Sequence, residues 1–251
     1  MNTADFQANT PYGTFGTLAI DAPVDARRTF IRKTYTHLAA AVYAFVALEF
    51  MLFQTAFPEW MLGMLGQSQW SWLVVLGAFI GVSWLADSWA RSSTSIGLQY
   101  AGLFLYVAVE AIIFVPLLAI AQDYAMSFEA IGNVNVIAVA AIATLVLFGA
   151  LTAVVFMSGA DFSFLRTGLM LAGFAAFALI AISIFAGMQL GIWFSAGMIV
   201  FACGWILYDT SNILHHYRTE QYVAASLALF ASVALLFWYV LRLLMAFSSR
   251  D

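Results

Sequence analysis

The chain has 251 residues, 64% of them hydrophobic and 9% charged, with a net charge of −4 and a mean hydropathy of +0.95. Such values lie outside the range of soluble domains and mark an integral membrane protein. A solitary lysine, Lys33, leaves no basic patch for nucleic acid, and the lone Cys203, set in an apolar stretch, rules out a disulfide framework.

Residues 1–33 carry Asp5, Asp21 and Asp25, prolines at 11 and 23, and no early apolar core. They do not read as a cleavable signal peptide but as a flexible polar tail, with 34–251 as the membrane domain. A span needs roughly 20 apolar residues. Seven stretches qualify, at about 34–57, 70–90, 99–121, 134–157, 167–187, 192–214 and 222–244, joined by short connections. The fold expected is therefore an all-α bundle of seven transmembrane helices in a lipid bilayer.

Orientation follows from the basic residues, which stay on the cytoplasmic side. Arg27, Arg28, Arg32 and Lys33 precede the first span, and Arg91, Arg166 and Arg218 follow spans two, four and six. This alternation places the N-terminus in the cytoplasm. Arg242 and Arg250, at the end of the seventh span, break the rule, and a re-entrant final segment is the alternative that would restore it. Trp60, Trp70, Trp72, Trp193 and Trp238 are expected near the outer interface, where amphipathic rings settle.

Four ionisable residues fall within spans or at their edges: Glu49, Glu110, Asp209 and Arg91. At a helix centre an Asp, Arg or Lys costs roughly 2.5–3.5 kcal/mol on insertion scales, so each should face the bundle interior, water or a partner. Glu110 lies deep in the third span, six residues before Pro116, which cannot donate to the Ile112 carbonyl and is expected to kink the helix. Such a bent helix could form part of a cation or proton site, or Glu110 could be a protonated acid donating one hydrogen bond across the bundle. Glu49 has no such accompaniment and reads as structural. Asp209 sits roughly 8 Å inside the end of the sixth span, on the side where Arg91 closes the second. The two are expected to meet as an ion pair that ties the helices at the inner mouth, or simply holds them in place.

His215 and His216 at the same membrane edge read as solvated interfacial residues, since adjacent side chains diverge and no third metal ligand is near. No H-E-x-x-H, phosphate loop or G-x-S-x-G is present. The sequence gives no reason to expect an enzyme.

Three segments in order carry a resemblance: "VEAIIFVPLL" with Glu110 and Pro116, "DFSFLRTGLML" from Asp161, and "ILYDTSNILHHYRTEQYVAASLALF" around Asp209. Together they resemble the Bax inhibitor family of seven-span membrane proteins. In its calcium-leak members an aspartate of the sixth span pairs with one of the seventh, and an arginine closing the second latches onto them. By resemblance Asp209 takes the first place and Arg91 the latch. Counting back from Arg242, the second aspartate position falls on Ser232. Two close carboxylates titrate as a coupled pair, which an aspartate and a serine do not.

The serine, the "TSNI" after the acid and the closing "SSRD" resemble the bacterial YccA branch, whose members restrain the membrane protease FtsH and offer it a cytoplasmic tail. The resemblance thus implies a multi-pass protein of the bacterial inner membrane that modulates an FtsH-type protease, with no resident cofactor. The alternative it implies is a pH-sensitive calcium leak, with Ca2+ as the transported ion, Glu110, Asp209 and Ser232 on the pathway and Arg91 as latch.

Overall fold

A computed structural model describes residues 17–92, 95–128 and 132–248. Among them are eight helices: α1 Val24–Phe53, α2 Phe57–Gly66, α3 Gln69–Ala90, α4 Ile96–Ala121, α5 Val136–Ser158, α6 Leu165–Ala186, α7 Ile192–His215 and α8 Tyr222–Ser248. All but α2 are long and apolar enough to cross a membrane. Helices satisfy every backbone donor and acceptor internally, which hydrocarbon demands. Their ends are set by side chains and glycine: Ser68 accepts from the Trp70 N–H and Asn135 from the Ile137 N–H, while Gly159 and Gly187 close α5 and α6 in left-handed conformation.

Two elements between spans were not foreseen. The short α2 buries Met61 and Leu65 against Val115 of α4, covering one end of the bundle. A two-stranded antiparallel hairpin, β1 Ala125–Phe128 and β2 Gly132–Asn135, links α4 to α5 at that same end.

α1 begins ten residues before the expected first span, so residues 24–33 are helix rather than tail. Hydropathy registers the bilayer, whereas the helix runs on beyond it: thirty residues at 1.5 Å extend about 45 Å, against a hydrocarbon core of about 30 Å. Arg27, Arg28, Arg32 and Lys33 ride on those extra turns. Leu18 forms a strand bridge with Arg218 in the α7–α8 turn, where the Ala19 N–H donates to the Tyr217 carbonyl at 2.9 Å. The described part of the N-terminal segment is therefore clasped to the bundle; residues 1–16 lie outside the described residues.

α8 is the central helix. It packs on α7, α1, α5 and α4, and buries small residues such as Ala224, Ala225 and Ser226 beside Leu229, Leu236 and Leu241. It is one unbroken helix of 27 residues, about 40 Å long, so the re-entrant alternative does not hold and the departure of Arg242 from the charge rule stands. α6 is the most peripheral span, burying only Leu169 and Ser183. Trp60, Trp70, Trp72 and Trp193 lie exposed near helix ends on the hairpin side, as expected of an interface. Trp238 departs from this, turning inward to meet Phe114 edge-on at 4.9 Å.

Candidate functional site

Asp209 is buried six residues before the end of α7, where a carboxylate needs a donor. Ser232 of α8 supplies it, its hydroxyl donating to Asp209 Oδ2 at 2.5 Å. The residue that sequence places in the second acid position is thus the direct partner of the first.

Arg91 caps the end of α3, but it does not form the expected ion pair with Asp209. Its Nε donates to both carboxylate oxygens of Asp87, at 2.9 and 2.8 Å, one turn earlier on the same helix. The i,i+4 spacing brings the two heads together without any movement between helices. Arg91 and Asp209 nevertheless face one cavity of about 370 Å³, together with Asp87, Ser83, Tyr106 and Ser232. The guanidinium also lies 6.0 Å from the centre of the Tyr217 ring, so the mouth of this cavity adjoins the clasp on residues 17–19.

Glu110 is not in that cavity. It is buried on α4 and lines a larger one, about 650 Å³, between α3, α4, α6 and α8, with Pro116 and Arg242 in the same wall. Tyr106, Ala231 and Leu235 line both cavities, and Tyr106 lies within electrostatic reach of both Glu110 and Asp209. α4 runs unbroken through Pro116 to Ala121, with the Ile112 carbonyl lacking its usual helical donor. Glu49 lines neither cavity, and neither of its carboxyl oxygens has a hydrogen-bond partner among the described residues.

On the α5–α6 loop, the Asp161 carboxylate accepts from the Ser163 N–H at 2.9 Å, and this bond holds its pKa below the usual carboxylate range. The loop docks on α7 through Ser211, which accepts from the Phe162 N–H at 2.8 Å. His216 Nε2 stands 3.7 Å from Asp161, so one of the two interfacial histidines has a specific neighbour, while His215 Nδ1 contacts the Ser211 carbonyl. Two of the three sequence motifs, around Asp161 and Asp209, therefore meet at one end of α7.

The sequence reading missed Asp87 and Tyr106. Asp87 carried a signal in its spacing four residues before Arg91; Tyr106 carried none that distinguishes it from the other aromatics of its span.

The family described as "Inhibitor of apoptosis-promoting Bax1" matches residues 27–249. The chain belongs to the Bax inhibitor family. It is 29% identical to "Bax inhibitor 1" of Schizosaccharomyces pombe, over 90% of this chain and 79% of the yeast protein. It is 36% identical to the "Golgi anti-apoptotic protein" of vaccinia virus strain Lister, over 45% of this chain and 48% of the viral one. To the "BI1-like protein" of Arabidopsis thaliana it is 33% identical, over 42% of this chain and 43% of the plant protein. In this Bax inhibitor family chain the site is an Asp–Ser contact beside a separately paired arginine.

Proposed function

We propose that this chain binds and restrains an FtsH-type membrane protease in a bacterial inner membrane, with its N-terminus in the cytoplasm. The observation that carries the reading is the strand bridge between Leu18 and Arg218. It fixes the root of residues 1–16 beside the α7–α8 turn, so a protease that takes hold of the tail pulls against the most buried helix of the bundle. Ser232 in place of a second carboxylate, and the resemblance to the YccA branch, support the same reading. Copurification of the protease with the full chain, lost on deleting residues 1–16 while thermal unfolding stays unchanged, is the expected result. Copurification that survives the deletion would refute the role of the tail.

A second reading is a cation leak, favoured by the two acid-bearing cavities that share Tyr106, Ala231 and Leu235 as walls. Calcium entry into liposomes containing only this protein, abolished by Asp209→Asn, would establish it. Absence of flux, together with tail-dependent copurification, returns the decision to the first.

A further inference from the structure

Arg242 is one of two basic residues that the charge pattern leaves unexplained; the other, Arg250, lies outside the described residues. Arg242 lies late in α8, half-buried, and no carboxylate comes within ion-pair distance of it among the described residues. It lines the 650 Å³ cavity, whose volume falls in the range of roughly 300–1,000 Å³ typical of small-molecule sites. Apart from Arg242 and Glu110 the lining is uncharged and largely apolar, with Trp72, Phe79, Phe114 and Trp238 among its aromatic rings.

The two charged residues are at different depths. Tyr106 meets Phe230 at 6.2 Å between ring centres, and Phe114 meets Trp238 at 4.9 Å, so α4 and α8 run parallel. That register sets Glu110 level with about residue 234 of α8, and Arg242 about 12 Å further toward the hairpin end. There the cavity is lined by Trp72 near the start of α3, Ile120 near the end of α4 and Gln189 in the α6–α7 link. All three stand at span ends, the depth of lipid headgroups.

A guanidinium that lacks a carboxylate presents a planar fork suited to phosphate. A small free anion would use only that fork and leave the long apolar body of the cavity unengaged. We propose that the cavity holds an acyl chain of an anionic phospholipid whose phosphate is bound by Arg242. The chain enters from the bilayer past α6, which packs chiefly on α7 and α3 and is the span least held by the rest of the bundle. A cation on this side of the membrane is then compensated by lipid, which answers the departure from the charge rule. The inference is independent of the protease reading and competes with the leak reading, since an acyl chain would occupy the cavity that Glu110 lines.

Native mass spectrometry of the full chain, released from detergent with added phosphatidylglycerol or phosphatidylcholine of identical chains, tests it. One phosphatidylglycerol per chain should survive collision energies that strip phosphatidylcholine. Arg242→Gln should lower that retained fraction at least fivefold, and Arg242→Lys should keep part of it. Ile180→Trp, which fills the cavity without changing charge, should lower it as well, and decides the matter if Arg242→Gln does not fold. Equal retention of the two lipids, retention unaffected by the cavity variants, or loss caused instead by Arg166→Gln at the opposite end of the bundle would overturn the proposal.

Discussion

The Ser232 hydroxyl donates to Asp209 at 2.5 Å across the α7–α8 contact, so a neutral side chain satisfies the buried acid of the sixth span. Ser232→Ala leaves a carboxyl oxygen without its donor, a loss of about 1–3 kcal/mol for a buried polar group. The unfolding midpoint in detergent should fall accordingly, and Ser232→Thr, which keeps the hydroxyl, should recover most of the difference. If alanine and threonine behave alike, the hydrogen bond contributes nothing.

Asp87 and Arg91 make a prediction with two opposite signs. Asp87 holds the guanidinium on its own helix, and Asp209 is the other carboxylate facing the same cavity. In a Cys203→Ser background with Ala228→Cys as a reporter in the cavity wall, Arg91→Ala should speed labelling by a water-soluble thiol reagent several-fold. Asp87→Asn should slow it, because the freed guanidinium then turns across the cavity to Asp209. Unchanged rates in both would mean that Arg91 does not close this mouth.

These two residues show what the sequence could and could not yield. The seven spans were legible because apolar run length reports directly on the bilayer, and Asp209 stood out because its cost there is high. Ser232 was reached only through resemblance to a family, since a serine in a small-residue stripe carries no signal of its own. The partner of Arg91 is not legible in the sequence, because Asp87 and Asp209 both satisfy its charge, and Asp87, one turn away on the same helix, needs no helix to move. α1 starts ten residues before its apolar run, since hydropathy does not see helix outside the membrane. α2 and the hairpin were invisible for the reason that short connecting elements owe their form to what they pack on.

Asp161 gives the acid dependence. The Ser163 N–H holds its pKa below the unfolded value of about 3.9, so the folded state prefers the carboxylate. Its contribution is fully present above the unfolded value and is lost as pH falls through the lower folded one. Asp161→Asn keeps an acceptor for Ser163 but cannot titrate. In a His215→Gln/His216→Gln background, which removes the neighbouring imidazoles, the stability gap between Asp161 and Asp161→Asn, read from unfolding midpoints, should be constant from neutral pH down to about 4.5 and shrink below it. A gap that widens on acidification would mean that the loop is held by something other than the ionised carboxylate.

Two glycines separate close backbone approach from simple small size. A Cβ on Gly102 of α4 would come 2.5 Å from the Ala86 carbonyl oxygen and 2.6 Å from the Ala90 nitrogen of α3, atoms of a helix backbone that cannot step aside. On Gly204 of α7 it would meet Leu169 Cδ2 at 2.8 Å, the far end of a side chain free to change rotamer. Gly102→Ala should therefore force α3 away from α4 and cost about 1–3 kcal/mol, the range for overpacking. In Gly204→Ala the helix-propensity gain of alanine over glycine, up to about 1 kcal/mol, offsets the displacement of Leu169 and leaves the unfolding midpoint nearly unchanged. Since α3 also carries Asp87 and Arg91, Gly102→Ala should raise the labelling rate of the Ala228→Cys reporter as well as lower the midpoint. Equal effects of the two substitutions on the midpoint would show that the α3–α4 interface is not set by backbone contact at Gly102.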